Sequence, residues 1–193
     1  MPSGGLDTSA VAVVTDVIKD GAPITGYGFS SIGRYGQAGL INERFAPRLM
    51  AAADTELGNE GGDNIDPFRA WTCMMSGEKP GGHGERCVAV GTLDMAIWDV
   101  AAKIAGLPLY RFIGEATGTA PRPGPVPVYA SGGYRYPSDD ISRLRDEIRS
   151  LLDQGFTHFK MKVGGAPLSD DLKRIDTALA CLPNSHHLAV DAM

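Results

Sequence analysis

The sequence has no excess of positive charge. Eighteen Lys and Arg stand against twenty-three Asp and Glu, a formal net charge of -5. No basic stripe is present, which excludes the usual electrostatic footprint of a nucleic-acid binder. No apolar run approaches the length of a membrane span, and the first residues lack a signal-peptide pattern. A cytoplasmic protein with no membrane partner is the expectation. Cysteine is scarce: Cys73, Cys87 and Cys181 are scattered without metal-ligand spacing, so neither a disulfide framework nor a cysteine metal site is expected. No G-x-G-x-x-G follows a strand, which removes a dinucleotide loop. What remains is an ordinary globular composition, 43% hydrophobic over 193 residues, enough for one large domain or two small ones.

The most informative segment that is present is His158-Phe159-Lys160-Met161-Lys162-Val163. Side chains alternate along a strand, so Lys160 and Lys162 share one face and Phe159, Met161 and Val163 the other. Helical patterns precede and follow it, which reads as a βαβ context and a parallel sheet. Two ammonium groups on a covered face need a cavity, counter-charges or a chemical use. An edge strand with solvated lysines meets the same pattern.

The pattern divides at the proline- and glycine-rich residues 114–125. Upstream, apolar runs at 10–17 and 23–27 flank Lys19-Asp20-Gly21, a hairpin signal. Residues 26–36 are glycine-rich and read as a surface loop, mobile or closing over a site. Helices are predicted over residues 40–50 and 85–105. The second carries Val90, Leu93, Ile97, Val100 and Ile104 at steps of three and four, a core stripe, and Gly106 and Pro108 end it. Downstream, a strand is predicted at 126–131. A helix capped by Ser138 and closed by Gly155 follows, with an inward face of Ile141, Leu144, Ile148 and Leu151. After the lysine strand come a helix at 169–181, with Leu172, Ile175 and Leu179 inward, and a strand at 187–191. This β-α-β-α-β order is the start of a doubly wound sheet or a (β/α) barrel. Three strands make an unfinished barrel.

Asp191 falls at the carboxyl end of the strand after the lysine strand, where such folds place their sites. A carboxylate there can bind Mg²⁺. A cation beside two lysines would disfavour their charged forms and let one act as a general base α to a carboxylate. Asp191 can equally cap a following helix. A Schiff-base lysine is a further reading of the same strand. His83 and the pair His186-His187 lack metal-ligand spacing and read as structural.

Lys160-Met161-Lys162 followed by Ala189-Val190-Asp191-Ala192 resembles the enolase superfamily, mandelate racemase/muconate lactonizing enzyme-like subgroup. The stretch from Gly91 to Lys103, with Gly106-Leu107-Pro108-Leu109-Tyr110, is similar to the helix of that family's capping domain. Three further segments resemble the acid-sugar dehydratases of the D-tartrate dehydratase type. They are residues 77–86 (Gly-Glu-Lys-Pro-Gly-Gly-His-Gly-Glu-Arg), residues 33–37 (Gly-Arg-Tyr-Gly-Gln) and residues 129–134 (Tyr-Ala-Ser-Gly-Gly-Tyr). The resemblance implies an α+β capping domain over residues 1–114 and the first part, about three β/α units, of an incomplete TIM-like barrel over 115–193. It implies a Mg²⁺-dependent hydro-lyase that removes a proton α to the carboxylate of a small acid such as tartrate and then eliminates water. Lys162 would be the base, Lys160 its cationic neighbour and a substrate contact, Asp191 a metal ligand, and Lys79 and Tyr134 substrate contacts. Lys79 on a glycine-proline loop can also be plainly solvated, and Tyr134 can be a packing or surface residue. A homo-oligomer is implied for the full-length protein.

Three departures from the family pattern carry expectations. Past Met193 the family continues with further barrel strands, two glutamate ligands and a histidine acid, so the chain reads as truncated and inactive alone. Its first capping strand has no counterpart. Ile32 stands where the tartrate dehydratases are expected to have asparagine, which puts tartrate itself in question. A non-catalytic fragment, and a racemase or cycloisomerase of the same superfamily, are the other readings.

Overall fold

The computed structural model describes residues 8–30, 36–119 and 124–192. The chain divides into two compact units, Met1–Arg122 and Pro123–Met193.

In the first unit, β1 (Ser9–Lys19) and β2 (Ala22–Ser30) form the predicted antiparallel hairpin. Asp20 and Gly21 turn it with φ of 53° and 80°. Two positive φ angles are what a tight hairpin turn with the right twist demands. A helical run follows: α1 (Gln37–Gly39), a π-helical stretch (Leu40–Phe45) and α2 (Ala46–Ala51). Pro47 in the first turn of α2 has no N–H to donate backward, which accounts for a change of helical pitch just before it. The long helix α5 (Arg86–Ile104) follows two elements absent from the sequence reading, α3 (Asp54–Leu57) and α4 (Pro67–Met75); α6 (Leu109–Ala116), a third, comes after it.

The predicted stripe is the core: Val90, Leu93 and Ile97 of α5 pack with Ile41, Phe45, Ala70 and Met74, and Val100 is fully buried. Asp66 caps α4 by accepting hydrogen bonds from the N–H groups of Phe68 and Arg69, with Pro67 at the first helical position. Trp98 joins α4 and α6 to α5, edge-on to Phe68 at 5.3 Å and to Phe112 at 5.9 Å.

One prediction in this unit is corrected. Residues 26–30 are not loop; they complete β2. Gly26 and Gly28 lie against α5 so closely that an added Cβ would stand 2.1 Å from the Ala96 carbonyl oxygen and 2.2 Å from that of Thr92. The glycines serve close strand-to-helix packing rather than mobility. The rest of the predicted lid, with Ile32 and the Gly33–Tyr35 part of its motif, lies outside the described residues.

In the second unit, β3 (Ala130–Gly132), β4 (Phe159–Val163) and β5 (Leu188–Ala192) form a parallel sheet with β4 in the centre. The connecting helices are α7 (Asp140–Asp153) and α8 (Leu168–Cys181), and a 3-10 turn (Ser185–His187) leads into β5. Ala130, Leu144, Ile148, Phe159, Met161, Ala178 and Leu182 make its core.

Three details differ from the sequence reading. β3 starts four residues later than predicted; Pro127 in that stretch has no N–H to donate to a ladder. Ser138 does not cap α7, which begins at Asp140 after Asp139 in the left-handed region. Leu172 is not inward but 50% exposed; α8 turns Asp171, Arg174 and Ala178 inside.

Candidate active site

Alternation along β4 buries Phe159 and Met161 and puts Lys160 and Lys162 on the opposite face, their side chains 24% and 23% exposed. Because β4 has a parallel partner on each side, the edge-strand explanation of the lysines does not apply. Parallel pairing sets Lys162 opposite Asp191. The Asp191 Oδ2 accepts hydrogen bonds from both ammonium groups, 2.8 Å from Lys160 Nζ and 2.6 Å from Lys162 Nζ. Sequence spacing brought these residues to adjacent strands; the register placed them in contact.

Hydrogen bonds from Lys160 and Lys162 hold the Asp191 carboxyl down at a pKa of about 2. The Asp191 hydrogen bond in turn raises Lys160 above the ordinary lysine value, against the opposing effect of burial. With all three groups ionised, two positive charges face one negative. The residual positive charge suits an anionic ligand such as a carboxylate.

Tyr134 stands just past β3 and is 61% exposed. Its electrostatic influence reaches Lys160, as does that of Tyr129, whose ring centroid lies 5.9 Å from Lys160 Nζ. Sequence reasoning assigned Tyr129 no role. Its parity with Ser131, the register partner of Lys160, was the available signal.

Lys79 belongs to the first unit. It is exposed and lines a hollow of about 370 Å³ together with Arg44, Glu78, His83 and Arg86. Arg44, Arg48 and Arg86 all pair with the Glu78 carboxylate, at 2.7, 2.9 and 3.2 Å. Burial works against that carboxylate, but the arginine hydrogen bonds keep its pKa below the ordinary value. Arg86 also donates to the carbonyls of Lys79 and Gly81, so it fixes the backbone that carries Lys79. His83 meets the Pro80 carbonyl oxygen at 2.6 Å, and His187 stacks on His158 at 4.5 Å.

Among the described residues, no three His, Cys, Asp or Glu side chains converge to hold a metal ion. Mg²⁺ requires near-octahedral oxygen ligation. Asp191 alone, with Oδ2 bound to two ammonium groups, does not make such a site. Among the described residues, no helix is long and apolar enough to cross a membrane.

No protein-family model matches the chain. Individual known proteins do resemble it. Over 97% of its length the chain is 30% identical to an arabinonate dehydratase of Saccharolobus solfataricus, covering 47% of that protein. Over 94% it is 30% identical to an L-talarate/galactarate dehydratase of Salmonella typhimurium, covering 42%. A 3,6-anhydro-alpha-L-galactonate cycloisomerase of Streptomyces coelicolor is 29% identical over 93% of the chain. Among solved structures, a racemase from Streptomyces coelicolor A3(2) with bound magnesium matches 97% of the chain and 51% of its own, at a TM-score of 0.66 and 26% identity. A mandelate racemase/muconate lactonizing enzyme-like protein from Rubrobacter xylanophilus matches 96% and 51%, at 0.63 and 25%. The chain spans about half the length of the curated relatives it matches. The relatives it matches are dehydratases and a cycloisomerase, and its fold neighbours are a racemase and mandelate racemase/muconate lactonizing enzyme-like proteins.

Proposed function

We propose that this chain is part of a Mg²⁺-dependent sugar-acid dehydratase, with Lys162 as the base that removes the proton α to the substrate carboxylate. The observation that carries the reading is the pair of half-buried lysines on one face of β4, both bonded to Asp191. The dehydratase names among the relatives support the reaction class. In this reading, residues 1–114 are the capping domain and 115–193 open a barrel that the rest of the protein completes.

Lys160 binds the substrate carboxylate as a fixed cation, and Tyr134 contacts the remainder of the acid. The α C–H bond breaks and its proton passes to Lys162 Nζ. The β C–O bond then breaks, hydroxide leaves as water once protonated, and the enol product becomes a 2-keto acid. The 2.6 Å contact sets a condition: the Lys162 ammonium must leave Asp191 and lose a proton to solvent before that nitrogen can accept the α-proton. Asp191 would be one oxygen ligand of Mg²⁺, whose charge would stabilise negative charge on the substrate; the reading requires further ligands, and an acid for the departing hydroxide, from outside these residues. The motif at residues 77–86 favours tartrate as the acid, and Ile32 counts against it.

The cycloisomerase relative and the racemase neighbour favour a second reading with the same first step and a different fate for the carbanion. One experiment addresses both. The protein with its complete barrel is incubated with Mg²⁺ and tartrate, arabinonate and galactarate in D₂O, and α-proton exchange and 2-keto acid are followed by NMR. Exchange that disappears in Lys162→Ala, with keto acid formed by the wild type, is expected. Exchange that persists in Lys162→Ala assigns the base elsewhere, and exchange with inversion but no keto acid selects a racemase.

A further inference from the structure

An unexplained buried arginine stands beside the site. Arg174 is 2% exposed, and α8 turns it inward where the hydrophobic pattern placed leucine. Burying a guanidinium costs several kcal/mol unless it is fully paired, and a well-packed apolar residue would often stabilise the fold as well or better. An ion in such a place calls for another use.

The partners of Arg174 define that use. Its guanidinium donates to the Gly133 carbonyl oxygen through Nη2 and to the Asp140 carboxylate through Nη1. Asp140 also accepts a hydrogen bond from the Tyr136 N–H at 2.7 Å. The Gly133 N–H donates to Glu147 Oε2 of α7 at 3.1 Å. The backbone is therefore gripped by ionised side chains on both sides of one exposed residue, Tyr134. Packing locks the same turn: a Cβ on Gly132 would meet Glu147 Oε1 at 2.2 Å, and one on Gly133, at φ +64°, would meet the Met161 Cβ at 2.6 Å. Met161 lies between Lys160 and Lys162 on β4, so the turn is seated on the strand that carries both lysines. The turn after β4 is held in the same manner, the Gly164 N–H donating to the buried Asp171 of α8 at 2.7 Å.

We infer that Arg174 is a positioning residue for Tyr134: with Asp140 and Glu147 it fixes the turn after β3, so that the Tyr134 side chain meets the substrate in one orientation. This rests on the reading of Tyr134 as a substrate contact. An aromatic residue with two torsions, on a backbone that cannot move, gives up little entropy on binding.

The test uses the protein with its complete barrel. In Arg174→Lys, amide hydrogen exchange at Gly133 and Tyr136 rises by roughly ten-fold, while Met161 and Lys162 in β4 keep their protection. KM for the acid rises as it does in Tyr134→Phe, with kcat little changed. The double variant costs no more than the larger single effect, because both changes act on one contact. If Arg174→Lys does not fold, Glu147→Gln loosens the same turn from its other side and takes its place. Unchanged exchange at Gly133 and Tyr136, or additive effects of the two substitutions on KM, overturns the inference. Absence of turnover on any acid would remove the proposed function, and the exchange measurement would still decide whether Arg174 holds the turn.

Discussion

At the scale of single residues, Lys160 and Lys162 of β4 form an ion triad with Asp191 of β5. The Asp191 pKa of about 2 lies below its ordinary 3.8. A carboxyl whose folded pKa is depressed contributes stability that is complete above the unfolded value and is lost as pH falls through the folded one. The contribution of Asp191 is therefore expected in full above about pH 4 and gone below about pH 2. The raised pKa of Lys160 carries the opposite sign: its share is present below its ordinary 10.5 and lost as pH rises through the raised value. Denaturant midpoints measured against pH for the wild type and Asp191→Asn isolate the acid limb from Glu78 and Asp140, whose pKa values are also lowered. The gap between the two proteins should close as pH drops from about 4 to about 2. A gap that stays constant would mean that the pair contributes nothing measurable. Lys162→Ala is the corresponding chemical prediction, with loss of α-proton exchange as its readout.

At the scale of elements, close packing of the hairpin on α5 is the feature most sensitive to substitution. Gly26 leaves no room for a methyl group beneath Ala96 and Val100, so Gly26→Ala must push the strand off the helix. A cost of about 1–3 kcal/mol is expected for such overpacking, read as a lowered urea midpoint. Gly39 makes the contrast: it is helical and nothing lies within 4 Å of the position its Cβ would take. Gly39→Ala should add about 0.5–1 kcal/mol of stability through helix propensity and unfolded-state entropy, read as a raised midpoint. Equal effects of the two alanines would show that the strand-to-helix contact is not under compression. The hairpin, α5, α7 and the lysine strand were legible because each follows a clear period or turn signal over its whole length. α4 and α6 were not, because they are short and their apolar residues, Phe68, Trp71 and Ile113 among them, remain exposed.

At the scale of the molecule, the second unit presents unpaired strand edges on β3 and β5 among the described residues, and Leu168, Leu172 and Val190 are exposed. Open edges and apolar faces promote association between chains. We therefore expect the 193 residues purified alone to elute as aggregates or mixed oligomers and to turn over no sugar acid; light scattering and a dehydration assay measure both. A monodisperse monomer with measurable dehydratase activity would overturn this expectation. On the proposed barrel reading, a segment carrying further parallel strands, supplied in trans, should bring the chain to a defined size.

The sequence by itself determined the division of labour between strand faces. Alternation alone required Lys160 and Lys162 to point together and Phe159 and Met161 to point away, and the order of periods required a parallel β-α-β-α-β unit. Tertiary structure decided what those residues meet. The register that sets Lys162 opposite Asp191 depends on how two strands separated by a helix are aligned, which no local pattern encodes. The inward turn of Arg174 and Asp171 on α8, against its leucine pattern, depends on backbone groups of the turns after β3 and β4 that need partners there. Hydrophobic periodicity reports which face is apolar; it carries no information about which buried carbonyl or amide awaits a charged side chain from another element.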